Sequence, residues 1–535
     1  MQSTYAYPHF PYVPSEELQG GTMRRHPVVI VGGGPVGLTA ALDCAARGIP
    51  AVLLDDNDTV SVGSRAVCYA KRPLEIWDRL GCGERMVAKG VSWNHGKVFF
   101  RDKLSYSFDL LPERHHKMPA MINLQQYYLE EYLVGQLARQ QLVSLRWKHR
   151  VTALRQMQDH VALTVETPDG AFTMQAEWVI ACDGAGSTLR GMVGAAFTGQ
   201  VFEDQFLIAD VVMQAEFPSE RWFWFDPPFH PHQSALLHRQ ADNVWRIDFQ
   251  LGREADAEAE KRPERVIPRV RAMLGDDRPF ELEWVSVYRF ACRRIDRFRH
   301  HRVLFAGDAA HQVSPFGARG ANSGVQDTDN LIWKLGLVLQ GAAPEALLDT
   351  YHEERSLAAD DNIRNSTRST DFISPKSPSS RLYRDAVLEL AEEHDFARPL
   401  VNSGRLSLPT PYRHSSLNTP DDTDFAGGMT PGTNCADAPV QREGAPGWLL
   451  NALGEGFTVL TAGPAPVAEL GEGGVRARVI SVGTDLADRE GVLRQRYDLL
   501  PGTTYLIRPD QYVAARWRSF DAGRITRAIA TAIAA

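Results

Sequence analysis

The strongest constraint on this chain is the segment HPVVIVGGGPVGLTAALDCAARGIPAVLLDDN, residues 26–57. An apolar run, Val28 to Val31, leads into Gly32, Gly34 and Gly37 at G-x-G-x-x-G spacing. Apolar residues then recur at helical spacing (Val36, Ala40, Ala41, Ala45), Gly48 marks the helix end, and AVLL forms a second strand. Each glycine has a distinct physical task in such a strand–turn–helix. Gly32 permits the tight turn, Gly34 lets a pyrophosphate approach the backbone at a helix N-terminus, and Gly37 lets helix pack closely on strand. Asp55, roughly 20 residues on and at the end of the second strand, is placed to accept hydrogen bonds from a ribose. A chain that begins this way is expected to build a parallel α/β sheet around a dinucleotide.

At 535 residues the chain exceeds one hydrophobic core, and roughly two to four structural units are expected. A net charge of -8 argues against nucleic acid or an anionic membrane as the main partner. Six cysteines occur without a C-x-x-C pair, so neither a disulfide framework nor a zinc site is indicated, and a cytoplasmic location is the simplest expectation. The Tyr- and Pro-rich first residues lack the pattern of a signal peptide, and no apolar run reaches the ~18 residues of a membrane span.

Two later segments repeat the order strand, turn, acid. WVIACDGAGSTLR places Asp183 and Gly184 after a buried strand, and RVLFAGDAAH places Gly307 and Asp308 after another. Alone, D-G is a common turn dipeptide. Beyond the second segment, SPFGARGANSGVQDTDNLIWKLGLVLQG becomes helical from about Asn322, so Gly317 and Gly320 are expected just before a helix N-terminus, where free N–H groups favour negative charge.

Taken in order, G-x-G-x-x-G, D-G and G-D-A-A-H followed by P-x-G-x-x-G-x-N resemble the single-component FAD-dependent aromatic hydroxylases of the phenol and 3-(3-hydroxyphenyl)propionate hydroxylase group. The resemblance implies an α/β fold with a Rossmann-like FAD-binding domain, an inserted mixed β-sheet substrate domain and a C-terminal thioredoxin-like domain. It places Gly32, Gly34, Gly37 and Asp55 on the phosphate and ribose end of FAD, and Arg65 and Gln126 beside the cofactor. It puts Asp183 and Gly184 near both FAD and NAD(P)H, and Gly307 and Asp308 at the ribityl chain. Pro315, Gly317, Gly320, Ala321 and Asn322 would line the reactive ring. The implied chemistry uses NAD(P)H to reduce the flavin and O2 to form a hydroperoxide at flavin carbon 4a, whose distal oxygen passes to an electron-rich ring carbon. Many relatives read P-x-G-G-Q-G-x-N where this chain has PFGARGAN, so Arg319 adds a cation at the turn.

Between the two acidic turns, RWFWFDPPFHPHQSALLHRQADNVWRIDFQL reads as strands crowded with aromatic residues. By family register His238 and Gln240 fall where relatives hold the substrate's polar groups, and Arg246 falls where an arginine approaches the flavin. Along the strand His238 and Gln240 share one face and Arg239 takes the other. His238 is the candidate partner for a substrate hydroxyl because imidazole exchanges protons near neutral pH, although an ordinary sheet histidine fits the same position. Tyr288 and Pro315 complete the catalytic candidates, and Trp224 is a candidate substrate contact that reads equally as sheet packing.

The expected organisation is an irregular arm over 1–23, a first FAD-binding part over 24–198, a substrate sheet over 199–291, the flavin part over 292–372, a helical or irregular connection over 373–430, and the thioredoxin-like domain over 431–535. Without a C-x-x-C pair, that last domain is expected to serve a structural or homodimer-forming role. A small aromatic compound is the expected partner. The rival readings are a flavin-dependent halogenase, because WFWFDP nearly matches that group's W-x-W-x-I-P, a Baeyer–Villiger or polyketide oxygenase on the same scaffold, and a non-catalytic FAD-binding sensor.

Overall fold

The computed structural model describes residues 4–20, 23–401 and 406–535. Residues 1–3 and 21–22 of the expected arm and residues 402–405 of the expected connection lie outside the described residues.

The strand Arg25–Val31 lies at the centre of a parallel sheet in the order Val303–Phe305, Gly170–Ala181, Arg25–Val31, Ala51–Leu54, Val143–Arg146. Val28, Val29 and Ile30 are fully buried, as expected of a strand covered on both faces. The strands ending at Val31, Ala181 and Phe305 are neighbours running in one direction, so the three glycine- and acid-bearing turns that follow them meet at one sheet edge.

Helix Pro35–Ala46 follows the first strand with Pro35 in its first turn, where a missing N–H costs nothing. It crosses helix Gly320–Leu339 at Gly324, where an added Cβ would stand 2.6 Å from Val36 Cγ2 and 3.1 Å from Gly307 Cα. Helix Gly320–Leu339 begins two residues earlier than the apolar spacing indicates, so Gly320 is its first helical residue and does not precede it. Its polar buried residues from Asn322 to Asn330 carry no apolar signal, which is why the spacing misses the first turn.

The second sheet has eight strands in the order His311–Gln312, Glu281–Ile295, Phe197–Val212, Val244–Leu251, Ser234–Arg239, Arg221–Phe225, His95–Phe100, Lys103–Asp109. The hairpin 95–109 and the pair 311–312 therefore belong to this sheet although both lie outside 199–291. Its outer face carries Leu237, Trp245, Ile247 and Phe249 against Val266 and Val270 of helix Pro263–Leu274. Its inner face carries Phe206, Phe223, Leu236 and Phe290 against Phe316 from the turn before helix Gly320–Leu339.

The segment expected as a connection contributes to this core as well. Helix Pro378–Glu393 opens with reciprocal hydrogen bonds between Ser377 and Ser380, and it packs Val387, Leu388 and Ala391 into the cluster that holds Phe225 and Phe372. The arm is likewise tied down. Phe10 stacks on Trp147 at 4.6 Å, the Gly63 N–H donates to Tyr7 Oη at 3.0 Å, and residues Glu16–Gly20 form a short helix within it.

The C-terminal sheet runs Glu469–Glu472, Val475–Val482, Phe457–Ala462, Thr504–Ile507, Val513–Trp517, with Phe457–Ala462 parallel to Val475–Val482 and the last two strands antiparallel. Trp333 and Leu347 enter its core beside Phe457 and Leu506, so helix Gly320–Leu339 and this domain share one hydrophobic cluster. Among the described residues no helix is long and apolar enough to cross a membrane.

Candidate active site

At the first turn each glycine meets a specific obstacle or opening. Gly32 has φ +107°, and a Cβ there would lie 2.4 Å from the Cys182 carbonyl oxygen. A Cβ on Gly37 would lie 1.9 Å from the Gly32 carbonyl oxygen. Gly34, the residue that begins the helix, has nothing within 4 Å of such a Cβ and no side-chain cap, so the helix N–H groups face open space. Sequence reasoning missed Gly33: its N–H donates to Asp55 Oδ2 at 2.5 Å, and a Cβ there would meet the same carboxylate. Asp55 Oδ1 accepts from the Asn57 backbone and side chain at 2.8 and 3.0 Å. Of about four acceptor sites on a carboxylate, one on Oδ2 is left for a ribose hydroxyl.

At the second turn Asp183 is occupied locally. It accepts from Ser187 Oγ at 2.6 Å and from the Leu189 N–H at 3.1 Å, which starts the short helix Thr188–Met192, while Gly184 takes φ +74° in the exposed turn.

At the third turn the histidine of G-D-A-A-H has a structural task. His311 Nε2 lies 2.7 Å from Asp327 Oδ2, which also accepts the Gly307 N–H at 2.9 Å, and Arg355 Nε donates to Asp327 Oδ1 at 2.6 Å. Burial raises the Asp327 carboxyl, but His311 and Arg355 outweigh it and hold the group below its ordinary value. The turn is thereby fixed while Asp308 stays free of hydrogen bonds from the described residues. Asp308 is open to solvent yet crowded by the groove walls, and burial raises its carboxyl against the pull of His311 and Arg65. A Cβ on Gly320 would come 3.8 Å from Asp308 Oδ1, so the acid and the uncapped start of helix Gly320–Leu339 face the same space.

The loop bearing Arg65 closes this groove and is clamped from two sides. Arg246 donates to the Ser64 and Arg65 carbonyls and pairs with Asp210 at 2.7 and 2.8 Å. Gln126 Oε1 accepts the Ala66 N–H at 2.9 Å, and Gln126 Nε2 donates to Ser61 Oγ and Glu130 Oε1. Both residues therefore hold the loop while the Arg65 side chain remains exposed. Asn322 is also spoken for by protein: its side chain takes the Ala70 N–H and donates to the Cys68 and Ala318 carbonyls, leaving backbone as its contribution to a ligand. Gly317 takes φ +97°, and Ala321 is partly exposed in the first turn of the helix. Arg319, the departure in PFGARGAN, is buried behind the turn and donates to Asn362 Oδ1 at 2.9 Å, so it is no rim cation.

The residues fit FAD. Two uncapped helix starts, an open Gly34 cradle and two acids at the edges of one groove match a pyrophosphate, a ribose, a ribityl chain and an electron-rich ring in that order.

Above the turn, a cavity lies between Pro315–Phe316 and the inner sheet face, lined among others by Phe206, Arg221, Phe223, Asp248 and Tyr288. Register explains its composition. Arg221 pairs with His238, His238 with Arg246, Leu236 with Asp248, and Phe206 with Tyr288, which puts all of them on one face.

Two expectations are corrected by this register. Trp224 points to the outer face, where it stacks on Phe99 at 5.0 Å, because its neighbours Phe223 and Phe225 take the inner positions. Gln240 is fully buried and donates to Asp210 at 3.1 Å, so it supports the Asp210–Arg246 pair and does not line the cavity. His238 has the expected face, but Nδ1 sits 3.6 Å from Cys68 Sγ, and burial with Arg221 and Arg246 drives the imidazole well below its ordinary range. Its Nε2 is buried without a hydrogen-bond partner among the described residues. Arg221 and Asp248, missed from sequence, were signalled only by strand alternation with His238 and Arg246.

The chain matches the model of the FAD binding domain family over residues 25–366. It is 30% identical over 532 residues to 6-methylpretetramide 4-monooxygenase of Streptomyces rimosus, covering 91% of this chain and 90% of that protein. It is 26% identical to a 3-(3-hydroxy-phenyl)propionate/3-hydroxycinnamic acid hydroxylase of Mycolicibacterium smegmatis, over 91% of this chain and 90% of the relative. The solved flavin-dependent monooxygenase PieE shares the fold, with TM-score 0.80, 23% identity and coverage of 95% and 99% of the two chains. The chain belongs to the FAD binding domain family. Within it, the chain is a flavin-dependent monooxygenase.

Proposed function

We propose that this monooxygenase hydroxylates a small phenolic ring at the expense of O2 and NAD(P)H. The cavity carries the reading: an aromatic chamber directly over Pro315–Phe316, with polar groups confined to Arg221, Asp248, Tyr288 and Ser234. Bound FAD supplies the activation of O2. The chain's own residues would hold the cofactor, shield the reaction from water with Phe206, Phe223 and Phe316, and orient the ring. One relative is named for a hydroxylated phenylpropionate and another for 6-methylpretetramide. Four sheets are described besides the C-terminal one, and none forms a second dinucleotide fold, which supports NAD(P)H acting as a transient co-substrate at the Asp183–Gly184 side of the groove.

The test is turnover by the purified protein alone, with NADH or NADPH and a panel of phenols and hydroxylated aromatic acids. Product should carry one oxygen atom from O2. A requirement for chloride and a partner reductase would make it a halogenase, and flavin reduction indifferent to every aromatic would make it a sensor. Asp308→Ala should purify with less than about a tenth of the wild-type FAD, a loss of roughly 1.4 kcal/mol or more in cofactor binding. Full flavin content in that variant would remove Asp308 from the site.

A further inference from the structure

Asp248 is an unexplained group in the cavity. It sits on the inner face of strand Val244–Leu251, beside Tyr288 and Arg221 and opposite Pro315 and Phe316. Among the described residues nothing donates a hydrogen bond to its carboxylate and no cation lies within ion-pair distance, although Oδ1 is buried. A buried carboxylate oxygen without a donor is costly, and proteins of this size leave few of them. Arg246, two residues away on the same face, is committed to Asp210 and to the Arg65 loop. Arg221 has no ion-pair partner among the described residues either, and it too borders the cavity.

Building on the reading above, we propose that Asp248 is the catalytic base that takes the hydroxyl proton of the phenolic substrate, with Tyr288 donating to the oxygen as it becomes negative and Arg221 offsetting its charge. The site is thus one for aromatic rings that carry a free hydroxyl. In the step, the phenol O–H bond breaks, its electron pair stays on oxygen and enters the ring, and the proton moves to an Asp248 oxygen. The attacked ring carbon gains one oxygen atom of O2, and when aromaticity returns its own hydrogen leaves as a proton, which is taken up as the second oxygen atom departs as water with the two electrons supplied by NAD(P)H. The proton on Asp248 passes back to the substrate's first oxygen, which restores the carboxylate.

The electrostatics agree with these roles. Burial pushes the Asp248 carboxyl up to about 6, against the pull of Arg246 and Arg221 and with Asp210 adding to the rise. Burial and Asp248 together hold the Tyr288 phenol well above its ordinary value, so it stays a donor. The other facing groups are His238, kept neutral, and Pro315 and Phe316, which do not titrate. A base with a value near working pH combines the right protonation state with a useful driving force.

Asp248→Asn tests this with two readouts. First, bound p-nitrophenol, whose ionised form is yellow, is titrated in the non-turning-over holoenzyme. Removing a like charge beside the hydroxyl should move its ionisation about one unit or more toward lower pH. Second, the wild-type hydroxylation rate should fall as pH drops below about 6, where Asp248 takes up a proton. D248N should lose that limb and be slower by about 10²–10⁴-fold on weakly acidic phenols, with a smaller loss on acidic ones. Asp248→Glu should restore the limb, and Asp248→Ser replaces D248N if the amide variant loses flavin. An unmoved nitrophenol titration, an unchanged pH limb, or an equal loss on all phenols would overturn the assignment. If the wild type hydroxylates no phenol, the functional reading fails, while the titration still decides whether Asp248 faces a bound hydroxyl.

Discussion

Gly37→Val should abolish accumulation of folded flavoprotein, whereas Gly34→Val should fold with an almost unchanged Tm and lose FAD. The two glycines sit three residues apart in one motif, and the contrast separates packing from ligand binding. At Gly37 the new Cβ would lie 1.9 Å from the Gly32 carbonyl oxygen and 3.3 Å from Cys182 Cβ, a collision with backbone that no rotamer relieves. Helix Pro35–Ala46 would have to lift from the central strand, although Leu38, Ala40, Ala41 and Leu42 bury their side chains beneath it. The cost should exceed the about 1–3 kcal/mol of an overpacked core, because the strand and helix that move hold the centre of the sheet. At Gly34 nothing stands within 4 Å, and φ -77° suits any residue, so the protein itself tolerates valine. The methyl groups would instead fill the space reserved for the pyrophosphate, with FAD affinity falling on the order of a hundredfold, about 2.7 kcal/mol. Thermal melts with and without added FAD distinguish the cases. A stable, flavin-loaded G37V would refute the packing role, and a G34V with full FAD would refute the phosphate assignment.

That pair of residues also shows what could be read without coordinates. The glycine tasks were legible because each is a local backbone requirement, written within a few residues of the strand it serves. The union of three distant turns was legible only through their order, and the parallel register of the strands ending at Val31, Ala181 and Phe305 supplies its physical cause. The choice of face in RWFWF was not legible. Both faces of that strand are apolar, so hydrophobicity carries no alternation, and Trp224 could be placed on either side until its neighbours fixed the register. Arg319 looked like a cation at the flavin because the motif is local, but its partner Asn362 lies 43 residues on. Asp248 is illegible for a related reason: an aspartate two residues beyond an arginine on one strand face has the spacing of its ion-pair partner. In the fold that arginine is taken by Asp210 from the adjacent strand.

The least legible feature is the ionic junction that joins the C-terminal domain to the flavin helix, and its disruption carries the second large prediction. Glu354 accepts from Arg508 at 2.5 and 2.9 Å, from Lys334 at 2.8 Å, from Asn330 at 2.6 Å and from Ser415 at 2.6 Å, with almost no exposure. Arg508 also binds Asp510, so two cations and two carboxylates balance inside the protein. Burial raises the Glu354 carboxyl, but Arg508 and Lys334 outweigh it and hold the group far below its ordinary value, while burial pushes Lys334 down to about 8 despite Glu354. Glu354→Ala would leave Lys334 buried with only Asn330 Oδ1 at 2.9 Å, a loss expected to cost about 3–5 kcal/mol because a buried charge is stranded. Helix Gly320–Leu339 carries both this junction and the flavin turn, so FAD should be released at lower urea than in the wild type. The sign of the pH dependence is specific. A lysine whose folded value lies below its unfolded value is protonated mainly in the unfolded chain, so the E354A deficit should shrink as pH rises from 7 toward 10. For the same reason the E354A/K334M double variant should be more stable than E354A alone. Urea midpoints at pH 7 and 9 for the three proteins test the junction. A deficit below about 1 kcal/mol at pH 7, or one that grows with pH, would show that the domain is held by the Trp333–Phe457 hydrophobic cluster without help from the charges.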